Sequence, residues 1–119
     1  MKPLYFMGSA KKDLRAFPDE ARQEAGYAIY VAQNGGKSSN AFPMVGFGGA
    51  GVLEVVIDHD GDTYRAIYTV KFKGAVYVLH AFQKKSRKGI KTPKPELKII
   101  TARLKVAQKH HEETYAGTE

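Results

Sequence analysis

The 119-residue sequence contains no cysteine. That excludes a disulfide framework, a thiolate zinc site and a cysteine nucleophile. Long hydrophobic runs are missing as well: no stretch approaches the roughly 20 apolar residues of a membrane span. The N-terminal "MKPLYFMGSAKKDLRAF" meets charge too soon for a secretory leader, and a cysteine-free basic domain suits the cytoplasm, which is the location expected. There is no internal repeat. Acid is scarce where it matters most. From Lys84 to Lys105 there are nine Lys or Arg residues and a single acid, Glu96. Over the whole chain 19 basic residues face 12 acidic ones, a formal charge of +7. That balance favours an acidic partner such as nucleic acid, an acidic protein or an anionic surface.

What is present describes one globular domain over residues 1–119, with an ordinary apolar share. "PLYFM" reads as a short strand, and Ser9 can cap a brief helix through "AKKDLRAF". After Pro18, Ala21, Ala25, Ala28, Ile29 and Ala32 recur at helical spacing and give a narrow stripe of small residues. Asp19 and Glu20 suit the positive end of that helix, and Asn34-Gly35-Gly36 stops it. Residues 35–51, "GGKSSNAFPMVGFGGAG", read as loop by composition. Three strands follow: "VLEVVI", "TYRAIYTVKF" and "AVYVLHAF". The first two are joined by the turn-rich "DHDGD" and the last two by Lys73-Gly74. A final helix starts after Thr92, with Pro93 at its first position and Leu97, Ile100, Leu104 and Ala107 on one face. The order β-α-α-β-β-β-α predicts an α+β fold: a small antiparallel sheet, N-terminal helices on one face, and a C-terminal helix.

Three motifs carry less than they suggest. "GFGGAG" has the letters of a dinucleotide fingerprint, but that mechanism needs a helix after the glycines, and here "VLEVVI" reads as a strand. "DHDGD" has its glycine too early for a calcium loop and lacks the bidentate Glu. His110 and His111, adjacent on a helix, point about 100° apart and cannot easily share a metal. They suit the negative end of the helix.

The basic run is different, because a solvated helix face normally alternates its charges. A two-residue loop at Lys73-Gly74 sets Thr69 against Val78, Ile67 against His80 and Arg65 against Phe82. Arg65, His80 and Lys84 then share one side of the sheet, with His80 and Lys84 each diagonal to Arg65, within about 5 to 8 Å of its position. Tyr68, Val70, Tyr77 and Leu79 take the other side as a core face. A cationic cluster on the face away from the core is what phosphate recognition requires.

The same residues carry a family likeness. "DGDTYRAIYTV", "GAVYVLHAFQKKSRKGIKTPKPELKIITARL" and the earlier "GSAKKDLRAFPDEARQEAGYAIYVAQNGG" closely resemble the RelE/HigB superfamily of bacterial toxins, in its phage-derived HigB-like branch. The resemblance covers nearly the whole chain. It implies helices on one sheet face and mRNA, held in the ribosomal decoding site, on the other. It implies RNA cleavage without a metal or other cofactor, with the substrate 2′-OH attacking the adjacent phosphate. Carried over by motif, Arg65 would stabilise the transition state. Lys84 and Lys85 would contact phosphate or move a proton, with His80 in support. Arg87, Lys88 and Lys91 would contact RNA, and Tyr68 could stack on a base if it faced the groove. A cognate antitoxin, with a helix-turn-helix domain, is the implied partner. One departure stands out: "GFGGAGVLEVVIDHDGD" holds no Lys or Arg, where many ribosome-dependent relatives are basic. Two alternatives share the same charge: a non-catalytic, ParE-like toxin acting on DNA gyrase, and a plain nucleic-acid-binding module.

Overall fold

The computed structural model describes residues 1–49, 51–84 and 91–116. Along the chain run β1 (Leu4–Phe6), α1 (Ala10–Arg15), α2 (Asp19–Gln33), β2 (Ala41–Pro43), β3 (Val52–His59), β4 (Asp62–Thr69), β5 (Val76–Lys84) and α3 (Lys94–Thr114). The α+β architecture is the one the sequence predicts. The sheet has five strands in the order β1-β5-β4-β3-β2. Strands β2 to β5 are antiparallel, whereas β1 joins β5 in parallel. β1 can do so because α1 and α2 carry the chain away before it returns to the sheet.

The stripe of small residues explains how α2 sits. Ala21, Ala25, Ala28, Ile29 and Ala32 are all buried, and small side chains let a helix approach a sheet closely. With α1 they cover Leu53, Val55, Ile57, Ala66 and Tyr68 in one core. Gly35, at φ +87°, sits just past the Asn34 end of α2, and its N–H donates to the carbonyl of Ala32, as the glycine stop requires. "DHDGD" is a two-residue hairpin, with Asp60 and Gly61 both at positive φ between the paired His59 and Asp62. That is the primed turn that suits strand twist.

Three expectations change. Residues 41–43, read as loop, form the edge strand β2; a run of three residues is too short to show a period. The Lys73-Gly74 hairpin is not a two-residue loop, because β4 ends at Thr69 and β5 begins at Val76. A bulge also interrupts the pairing. Arg65 faces Phe82 and Ile67 faces His80 as expected, but Tyr68 then faces Val78 and Thr69 faces Tyr77, which leaves Leu79 as the extra residue. One extra residue switches every later side chain to the opposite face. Tyr68 and Val70 therefore pack against α1 and α2, while Tyr77 and Leu79 join the other side.

That other side is a second core. Leu97, Ile100, Leu104 and Ala107 of α3 pack with Ile67, Tyr77 and Leu79. Ile100 and Ala107 are fully buried. Pro93 is the N-cap of α3 and Pro95 lies in its first turn, where a missing N–H costs nothing. The face expected to lie away from the core is thus covered along much of its length.

Candidate functional site

Cross-strand register assembles the site in rows. One row on the α3 side reads Phe42, Glu54, Ile67 and His80, from β2 to β5. The next reads Val56, Arg65 and Phe82, and the third Asp58, Thr63 and Lys84. Arg65, His80 and Lys84 therefore share a face, as the sequence predicts. They are not open to solvent: Arg65 and His80 are 5 % exposed and Lys84 is 6 %.

Their partners explain how charge survives there. Arg65 Nη1 donates to Glu54 Oε1 at 2.9 Å, and the other Glu54 oxygen accepts from Thr92 Oγ1 at 2.7 Å. Lys84 Nζ donates to the carbonyl of Lys91 at 2.8 Å. The chain leading into α3 thus lies over this cluster. Burial pushes the Lys84 ammonium below its usual pKa, and the nearby Arg65 charge adds to that, with Glu54 opposing. A lysine lowered in this way is better suited to proton transfer than a surface one.

His80 belongs to a neighbouring network. Its Nδ1 lies 3.2 Å from Arg103 Nη1. An arginine can only donate, so Nδ1 accepts and the ring proton sits on Nε2, donated to Glu96 Oε1 at 2.9 Å. Arg103 also donates to the carbonyl of Leu79 at 3.0 Å, the residue set apart by the bulge. α3 is consequently bound to the sheet by polar contacts as well as by its apolar stripe.

The remaining expected residues divide. Lys91 is exposed and contributes its carbonyl to Lys84. Lys85, Arg87 and Lys88 lie outside the described residues. Tyr68 is a correction: at 1 % exposure it is buried against α1 and α2, on the opposite side of the sheet, and presents no ring to a base. Glu54, Thr92 and Arg103 were not singled out from sequence. Glu54 had a signal, being the one polar residue within "VLEVVI"; Thr92 and Arg103 had none. On the outer side of α3, exposed Lys94, Lys98 and Lys105 line a shallow groove, so part of the cationic surface faces solvent.

His110 and His111 do more than sit at a helix end. His110 Nδ1 lies 2.7 Å from the Tyr77 hydroxyl, and His111 Nε2 donates to the carbonyl of Lys73 at 2.7 Å. Val52 opens a strand directly after the glycine loop, which rules out the helix that a dinucleotide site needs. Among the described residues, no group of three or more His, Asp or Glu side chains could hold a metal ion, and no helix is long and apolar enough to cross a membrane.

A sheet backed by helices, with a cluster of cations and carboxylates on its second face, defines a small basic α+β domain. Residues 12–105 match the family model described as "Phage derived protein Gp49-like (DUF891)". The chain belongs to this family, which is associated with the toxins of toxin–antitoxin systems. No curated protein matches the chain.

Proposed function

We propose that the protein is the toxin of a type II toxin–antitoxin system of the RelE/HigB kind, and that it cleaves mRNA on the ribosome. The observation that carries this reading is the convergence of Arg65, Lys84, whose pKa burial lowers, and the Glu54 carboxylate on one sheet face. Cleavage by the substrate 2′-OH needs cations to hold the developing charge on phosphorus and a group to move protons. Arg65 serves the first need. Lys84 serves the second, with Lys85 beside it in sequence. His80 holds the start of α3 through Glu96, and Arg87, Lys88 and Lys91 contact the RNA. In the free protein Glu54 occupies the arginine, so a substrate phosphate takes its place when residues 91–96 lift from the cluster. The partner is an antitoxin, acidic enough to neutralise a chain of charge +7.

Single-turnover cleavage of a translated mRNA on programmed ribosomes tests this. Wild type yields fragments ending in a 2′,3′-cyclic phosphate, and EDTA leaves the rate unchanged. Arg65→Ala slows cleavage roughly a hundred- to thousandfold, the usual cost of losing one donor to a developing oxyanion. Equal rates for wild type and a folded Arg65→Ala variant would remove Arg65 from the chemistry. A second reading draws on burial: Arg65 and Lys84 are satisfied within the fold, as a non-catalytic toxin acting on DNA gyrase would allow. Loss of gyrase supercoiling without any mRNA cleavage would select it.

A further inference from the structure

Phe42 is an exposed aromatic residue, 52 % accessible, and its place in the fold sets it apart from the others. It pairs with Glu54 across β2 and β3, so its ring stands on the face that carries the Arg65–Glu54 pair. Cross-strand neighbours have their Cβ atoms about 5 Å apart. The Arg65 guanidinium reaches back from β4 to Glu54 at 2.9 Å, so a paired cation lies in the next row of the same face. Lys37 is exposed, and its Nζ is anchored at 3.0 Å on the carbonyl of Ala41, the residue before Phe42. One exposed cation, Lys37, therefore stands next in space to the backbone that carries this exposed ring, and the Arg65–Glu54 pair lies on the ring's side of the sheet.

The edge that bears Phe42 is closed to a partner strand. The carbonyl of Asn40 and the N–H of Met44 bond to β3, so alternation turns the polar groups of residues 41 and 43 outward. The Ala41 N–H is taken by the carbonyl of Ser38 and its carbonyl by Lys37. Pro43 has no N–H. Such an edge does not template strand addition. What stays available is the ring face, with the exposed Lys37 near it. Single-stranded nucleic acid is bound by that combination, an aromatic platform for a base and cations for the phosphates around it.

We propose that Phe42 is a nucleobase-stacking platform for single-stranded RNA, with Lys37 contacting a flanking phosphate. This rests on the endoribonuclease reading and extends its substrate site to β2, a place for a base that Tyr68 cannot provide. The chain has no tryptophan, so Phe42→Trp installs a single fluorescent reporter. Its emission is quenched by a single-stranded oligoribonucleotide and is unaffected by inorganic polyphosphate, which has charge but no bases. Phe42→Ala lowers affinity for the oligoribonucleotide roughly tenfold to a hundredfold, with its circular dichroism unchanged. Lys37→Ala lowers the log–log salt slope by about 0.7, the share of one phosphate contact on a single strand. If wild type binds and cleaves RNA while Phe42→Ala binds equally well, the platform is wrong and the endoribonuclease reading stands. If wild type binds no RNA, on or off the ribosome, both fall.

Discussion

The two faces of the sheet are built by different rules. Against α1 and α2 the core is apolar and close-packed, with alanines opposite Val55, Ile57 and Ala66. Against α3 the core is divided. Its Tyr77 end is aromatic and aliphatic, but its Lys84 end holds Arg65, Glu54, Lys84, His80 and Glu96 beneath the helix start. A fold that needed only stability could have kept both faces apolar, since a buried ion pair is often no better than a well-packed hydrophobic pair. The polar face is therefore the side whose charged groups packing alone does not explain.

The largest effect that separates the faces comes from removing one partner of the buried pair. Glu54→Ala takes the acceptor from Arg65 and from Thr92. The expected cost is about 3–5 kcal/mol, the range for a buried charge left without its counterion. Replacing both residues, Glu54→Leu with Arg65→Met, should be near neutral for stability by the same argument while abolishing any activity. Denaturant unfolding of the three proteins checks this. If Glu54→Ala is as stable as wild type, the pair does not hold that face together. Ile100→Ala, at a fully buried position of α3, follows at about 2–5 kcal/mol. Its loss should loosen α3 while leaving α1 and α2 protected in hydrogen exchange. Uniform loss of protection would mean that the two cores melt as one unit.

The unequal legibility of the two faces follows from the same difference. The α2 stripe is periodic, and all five of its residues are buried where the pattern puts them. Arg65 opposite Phe82 and His80 opposite Ile67 followed from counting back along two strands. The bulge at Leu79 was not legible, because no local pattern marks it, and the Leu79 carbonyl meets its donor, Arg103, 24 residues along the chain. The cover over the cations was missed for a related reason. The stripe Leu97, Ile100, Leu104 and Ala107 shows that α3 buries a face, but not which side of the sheet receives it. Two sides were open to it, and the basic composition suggested that one would be left to solvent.

A smaller effect belongs to the apolar face. Among the described residues the buried Tyr68 hydroxyl has no hydrogen-bond partner, and burial pushes its pKa above the ordinary value. An unsatisfied buried hydroxyl costs roughly 1–3 kcal/mol. Tyr68→Phe should therefore raise stability, by about 1 kcal/mol, with no loss of RNA binding. A destabilised Phe variant would reveal a role for the hydroxyl, and a variant with weakened RNA binding would reopen the question of which face meets the substrate.

The smallest effect is a slope against pH, and it probes the aromatic end of the α3 face. Tyr77 is held up at about 12 by burial, with the neighbouring Tyr115 and Tyr5 adding to the rise. Its ordinary value is 10.0, so between these limits the folded protein keeps a proton that the unfolded chain releases. Stability from this group is therefore complete below about pH 10 and drains away as the pH climbs toward 12. Lys84 acts with the opposite sign. Its lowered pKa means that the unfolded chain holds the extra proton as the pH approaches 10.5, and stability gains over that interval. Tyr77→Phe should flatten the alkaline fall in stability. It should also cost something at neutral pH, because the hydrogen bond to His110 is lost. Lys84→Met should instead remove the gain that precedes the fall. Urea unfolding across this alkaline range checks both slopes. If Tyr77→Phe loses stability with pH as steeply as wild type, another tyrosine governs the alkaline limit, and the contact between Tyr77 and α3 is weaker than its geometry implies.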